Sequence, residues 1–129
     1  MASTRGLVCR VAPDEILLVG ALDDVDELLR SAGVAMAEID PDALALDVSD
    51  GWDAWELIGR DAGAAFARLS ELDLPEEGFV QGEVVRLPVK VLTYGSDRLT
   101  LLIPAMWGDY LRERIVTDCG AVGVTEVPT

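Results

Sequence analysis

The chain has 129 residues, half of them apolar, with 24 acidic side chains, 10 basic side chains and no histidine. This length and apolar content allow a buried core and argue against intrinsic disorder. The formal net charge of −14 argues against binding to a nucleic-acid backbone, which requires basic patches, and no apolar run approaches the roughly 20 residues of a membrane span. We therefore expect one domain over residues 1–129, with no nucleic-acid partner and no membrane segment.

The absence of histidine limits the chemistry that the chain can perform. It removes the usual general base at neutral pH, the commonest zinc ligand and any Ser-His-Asp or Cys-His arrangement. Cys9 and Cys119 are too few for a disulfide framework, so we interpret both as reduced thiols of a cytoplasmic protein. Cys119 is expected to be a poor nucleophile, because a helix C-terminus raises the pKa of a thiol.

Residues 1–52 are predicted to form a ββαβ segment. Short alternating patterns indicate two strands, at residues 6–11 and 15–19, on either side of a turn. An apolar stripe of helical spacing follows over residues 25–33, where a glycine ends the predicted helix. Alternation over residues 44–48 predicts one further strand before the second part of the chain begins.

Residues 53–127 are predicted to form a two-layer module that begins with a strand and a helix. The strand covers residues 53–58, where apolar side chains alternate. Gly59 interrupts this pattern, and a helical stripe follows over residues 62–69. A loop then leads to a turn signal at residues 76–78.

A hairpin, a second helix and a last strand complete the predicted module. Alternating apolar residues place the hairpin strands at residues 85–91 and 99–103, with a glycine turn between them. The second helix covers residues 105–119, and a valine-rich strand at residues 122–127 follows it. The resulting order is βαββαβ, so we expect an α+β protein with a ferredoxin-like module and an extra N-terminal ββαβ segment.

Two features that resemble ligand sites have simpler interpretations. Residues 59–63 open a helix after a strand but lack the glycine spacing of a dinucleotide-binding loop. The acidic residues between positions 23 and 27 crowd a helix start without the spacing of a calcium loop. Helix capping and turn formation explain both features better, so we expect no catalytic, cofactor-binding or metal-binding residues.

Four segments of the second half carry a resemblance to a known family. They are residues 55–62 (WELIGRDA), 72–74 (LDL), 82–86 (GEVVR) and 99–107. This pattern resembles the aminomethyltransferase superfamily, which includes the T-protein of glycine cleavage. Within that superfamily, it is most similar to the small gamma subunit of heterotetrameric sarcosine oxidase.

The resemblance implies a fold, a role and a set of partners. The fold is the folate-domain type of that superfamily. In heterotetrameric sarcosine oxidases the large subunits carry FAD, FMN, NAD and folate, whereas the gamma subunit holds no cofactor and packs against the large alpha subunit. We therefore expect a non-catalytic subunit of a flavin-dependent amine oxidase or demethylase. A stand-alone small-molecule-binding or regulatory module is the alternative, and an independent folate-dependent enzyme is a weaker third option.

Large aromatic side chains are the candidates for contact with the partner, because such anchors are typical of the centre of an interface. Trp52 follows a turn and Trp107 opens a helix, with Tyr110 one turn further on, so we expect these three to face the larger subunit. Trp55 lies in the middle of a strand and fits the core equally well. The acidic surface around them is expected to meet basic groups of the partner.

Overall fold

The computed structural model of the protein describes residues 6–126, apart from the side chain of Leu22. The chain divides into two compact units, Met1–Ser49 and Asp50–Thr129, close to the predicted boundary after residue 52. Two antiparallel sheets and three α-helices confirm the predicted α+β class. A single domain over the whole chain stays a prediction.

The first unit consists of a β-hairpin and a helix. Strands β1 (Gly6–Ala12) and β2 (Glu15–Gly20) pair antiparallel, and helix α1 covers Val25–Ile39. In its described part, Cys9 alone is buried. A two-stranded hairpin with so little buried surface has marginal stability of its own.

Two predictions for this unit are wrong. Helix α1 passes through Gly33, since nothing crowds that position and a helical glycine costs only about 1 kcal/mol relative to alanine. Residues 44–48 form no strand, because no neighbouring strand pairs with them. Instead, the backbone N–H and hydroxyl of Ser49 both donate to Oδ1 of Asp47, at 2.9 and 2.6 Å, which starts a turn.

The second unit is a four-stranded antiparallel sheet with two helices. Its sheet order is β3-β6-β5-β4. Its elements in chain order are β3 (Trp52–Ile58), α2 (Ala62–Ala67), β4 (Glu77–Val84), β5 (Leu87–Tyr94), β6 (Arg98–Pro104) and α3 (Gly108–Cys119).

The structure confirms the predicted first strand, both helices and the hairpin, which β5 and β6 form. It adds β4, which the sequence prediction missed, because glycines occupy two positions of that strand and conceal its alternation. The predicted last strand is not observed in its described part: residues 120–122 form a 3-10 turn, and residues 123–126 form no strand. Val127 lies outside the described residues.

The core of the second unit consists of side chains from helices α2 and α3 and from one face of the sheet. The predicted stripe of α2 is confirmed, since Ala62, Ala65, Phe66 and Leu69 are all buried. Trp55 packs against this core. The buried sheet and α3 residues of the cluster are Leu57, Val84, Val89, Val91, Leu99, Leu101, Ile103, Leu111, Ile115 and Cys119.

Two glycines permit close approaches between elements. A Cβ at Gly108, the first residue of α3, would lie 1.7 Å from Oδ2 of Asp53 on β3. A Cβ at Gly82 on β4 would lie 2.6 Å from Cδ2 of Leu72, which packs against the core. Alanine at either position therefore requires a neighbouring side chain to move.

We expect Gly82→Ala to lower the free energy of unfolding by about 1–3 kcal/mol, because the added methyl group overpacks the contact with Leu72. Urea unfolding of the purified chain measures the change. Gly63→Ala is the matched control, since that helical glycine has open space around it and alanine favours a helix by up to about 1 kcal/mol. Equal stability of Gly82→Ala and the wild type would contradict this packing.

Candidate functional site

A groove of about 810 Å³ lies in the second unit, where the β4–β5 turn, the exit from α2 and the outer side of α3 meet. Residues from all three elements line it. They are residues 67–72 with Glu83, Val85, Arg86, Tyr110, Arg114 and Asp118.

The β4–β5 turn has an unusual sequence for its backbone conformation. Val85 and Arg86, its two central residues, have φ angles of 46° and 69°. Two-residue hairpin turns of this left-handed kind favour Asn-Gly, because a side chain, above all a β-branched one, is strained there. The surrounding structure must hold this turn in place.

Hydrogen bonds from the exit of α2 supply that support. The backbone N–H of Val85 donates to the carbonyl of Leu69 at 2.9 Å. The hydroxyl of Ser70 donates to the carbonyl of Glu83 at 2.6 Å, and the N–H of Leu72 donates to that hydroxyl at 3.1 Å. The turn and the wall of the groove are thus fixed to each other.

The charged residues of the groove differ in their pairing. Arg114 Nη2 donates to Oδ2 of Asp118 at 2.6 Å, and this hydrogen bond raises the pKa of the arginine. Arg68, Arg86 and Glu71 are exposed, and no residue between positions 6 and 126 forms a hydrogen bond or ion pair with their side chains. Within the described part of the chain, the groove therefore offers two guanidinium groups that no other side chain pairs with.

Cys119 lies behind this groove and is buried at the end of α3. Its Sγ donates to the carbonyl of Ala65 at 3.2 Å. The pKa of the thiol is raised, as predicted, but burial is the main cause, the neighbouring Asp118 carboxylate adds to it, and Arg68 acts in the opposite direction. Cys119 is poorly placed for nucleophilic chemistry at neutral pH.

Two of the three predicted interface residues come together. The rings of Trp107 and Tyr110 meet edge to face with centroids 6.4 Å apart, and they are 42% and 44% exposed. Met106 beside them is 81% exposed. Trp52 is separate: it is half-buried, and the ammonium of Lys90 lies 5.1 Å from its ring centroid.

The groove arginines were missed by sequence reasoning, which placed Arg86 in a strand. One signal marks the turn: the core-facing residues of β4 have even numbers, ending at Val84, and those of β5 have odd numbers, beginning at Leu87. A change of phase between two alternating runs indicates a two-residue turn. No comparable signal links Arg68 to Arg86, since they lie on different elements.

Within residues 6–126, no three Asp, Glu or Cys side chains gather closely enough to hold a metal ion. No helix in this part of the chain has both the length and the apolar character needed to cross a membrane. Comparison with known proteins finds no family model that matches the sequence and no curated protein with significant similarity to it. The resemblance to the aminomethyltransferase superfamily therefore stays a prediction.

The raised pKa of Cys119 predicts a pH-dependent contribution to stability. A thiol whose pKa is higher in the folded state stabilises the fold below its unfolded pKa, about 8.5, and this contribution is lost as the pH rises through the folded value. We expect the wild type to lose stability relative to Cys119→Ser between pH 7 and pH 10, as measured by urea unfolding. Cys9 is present in both proteins, so its contribution to the pH dependence of stability cancels in the comparison. If the difference in stability between the two proteins does not change with pH, the raised pKa of Cys119 is contradicted.

Proposed function

We propose that this chain is a non-catalytic, gamma-like subunit of a heterotetrameric, flavin-dependent amine oxidase or demethylase of the sarcosine-oxidase type. It packs against the large subunit, and the partner subunits carry FAD, FMN, NAD and folate. The assembly belongs in the cytoplasm, since two cysteines in the chain are too few for a disulfide framework. The observation that carries the proposal is the exposed aromatic pair at the start of α3.

The aromatic pair has the character of an interface anchor. Met106, Trp107 and Tyr110 place three large side chains on one exposed stretch. Aromatic residues and methionine are enriched at the centres of protein interfaces, and the aromatic rings bury large areas at low conformational-entropy cost. Isolated apolar side chains on a surface need no explanation, but a contiguous group such as this one marks a contact site.

The first unit offers further apolar surface to a partner. Its described part has little core, and the loop after α1 exposes Leu44, Leu46 and Val48. Acidic side chains surround this surface, and the whole chain carries a net charge of −14. We propose that a basic surface on the large subunit receives it, which speeds association more than it raises affinity.

The ferredoxin-like module of that superfamily forms part of the proposal. Strands β3, β5 and β6 and helices α2 and α3 occur in the predicted order, and β6 lies between β3 and β5. This placement supports the proposal, because a split βαβ unit has a later strand between its two parallel strands. In this proposal, strand β4 is an additional strand at the edge of the sheet, next to β5.

We expect Trp107→Ala to weaken assembly with the large flavoprotein subunit at least tenfold, because interface tryptophans commonly contribute more than 1.4 kcal/mol. The measurement is co-purification after co-expression, followed by a binding titration. Ile58→Ala is the matched control, since Ile58 is 71% exposed and pairs with Arg98, at the end of β3 opposite Trp52. A folded Trp107→Ala chain that binds as tightly as the wild type would place the interface elsewhere.

A second candidate function is a stand-alone module that binds a small molecule. The groove at the β4–β5 turn favours it, since its volume of about 810 Å³ is within the range of ligand sites. One experiment distinguishes the two candidate functions. A subunit co-purifies with a flavoprotein, whereas a stand-alone module binds its ligand in the absence of a flavoprotein.

A further inference from the structure

We propose that the groove at the β4–β5 turn binds a small organic monocarboxylate with an apolar body. Arg68 and Arg86 hold the carboxylate, and the apolar part of the ligand lies along Tyr110 and Leu72. This inference deepens the second candidate function and uses residues of the second unit only. It applies to the chain alone and to the chain as a subunit.

The free guanidinium groups specify the charge and shape of the ligand. Arg68, Arg86 and Arg114 are three of only ten basic residues in the chain, and all three line this groove. Asp118 pairs with Arg114, and no residue from 6 to 126 pairs with the guanidinium groups of Arg68 and Arg86. Guanidinium groups match a carboxylate through two parallel hydrogen bonds, so a carboxylate is the complementary anion.

The remaining surroundings limit the ligand to a single charge. Glu71 and Glu83 line the same groove and repel additional negative charge, as does the net charge of −14. A phosphate ester, a nucleic acid or an acidic protein segment brings several negative charges close to this surface. A monocarboxylate brings one, which the arginines neutralise.

The apolar wall specifies the body of the ligand. Leu72 and Val85 are half-buried and leave part of their side chains open to the groove, and the exposed ring of Tyr110 completes that wall. Ligand sites combine such apolar surface with a few polar groups that fix orientation. An aromatic or branched aliphatic carboxylate fits this combination.

The strained turn points to a role for Arg86 beyond folding. Glycine or asparagine is the favoured residue at its φ of 69°, yet an arginine occupies the position. Backbone strain of this kind persists where the surrounding structure imposes it, and it concentrates at ligand-binding positions. The hydrogen bond between Val85 and Leu69 fixes the turn, so Arg86 extends from a rigid base.

The test titrates the purified full-length chain with 3-phenylpropanoate by isothermal calorimetry, and with 3-phenylpropanamide as the neutral isostere. We expect the carboxylate to bind with a millimolar or lower dissociation constant and the amide to bind at least tenfold more weakly, the loss typical of a missing charge-assisted hydrogen bond. No binding of the carboxylate, or equal binding of the amide, overturns the proposal.

Variants assign the binding to these arginines. Arg86→Gly is expected to weaken carboxylate binding at least tenfold while raising the melting temperature, because glycine relieves the left-handed strain. Loss of binding then cannot arise from unfolding. Arg68→Ala is expected to weaken binding similarly, whereas Arg60→Ala, outside the groove, leaves it unchanged. Unaltered binding by both Arg86→Gly and Arg68→Ala overturns the assignment.

The test of carboxylate binding and the test of subunit assembly can fail separately. If the carboxylate fails to bind but the chain co-purifies with a flavoprotein, the ligand proposal falls and the subunit proposal stands. If the carboxylate binds and no flavoprotein co-purifies, the chain is a small-molecule-binding module.

Discussion

One backbone hydrogen bond, from the N–H of Val85 to the carbonyl of Leu69, connects the two parts of the second unit on which the groove depends. It joins the end of α2 to a hairpin turn that is strained by itself. Together with the hydrogen bond from the Ser70 hydroxyl to the Glu83 carbonyl, it holds a valine and an arginine in left-handed conformations. The position of Arg86 beside the segment that follows α2 depends on this contact.

The sequence predicts the elements that local periodicity determines, but it does not predict the turn that this tertiary hydrogen bond determines. The stripe of α2 and the alternation of β3, β5 and β6 arise from local periodicity, and the structure confirms them. Val85 and Arg86 have the residue types of a strand, but a tertiary hydrogen bond sets their backbone conformation. Strand β4 escaped prediction because Gly78 and Gly82 occupy core-facing positions, where an alternating pattern requires large apolar side chains.

The groove was less predictable than the fold. Arg68 and Arg86 lie in different segments of the chain, and only the three-dimensional arrangement brings them beside Tyr110 and α3. The aromatic pair of α3 was easier to anticipate, since Trp107 and Tyr110 lie one helical turn apart. Tyr110 borders both features, since it lines the groove and contacts Trp107. Under the two proposals, the partner contact and the ligand site would therefore lie next to each other on one surface.

The contact between Gly108 and Asp53 has a consequence for how this sequence can vary. A Cβ at position 108 and the carboxylate at position 53 require the same space. A larger residue at the start of α3 is compatible with the fold only if position 53 carries a smaller side chain or turns it away. The effects of substitutions at these two positions on stability are therefore expected to be non-additive.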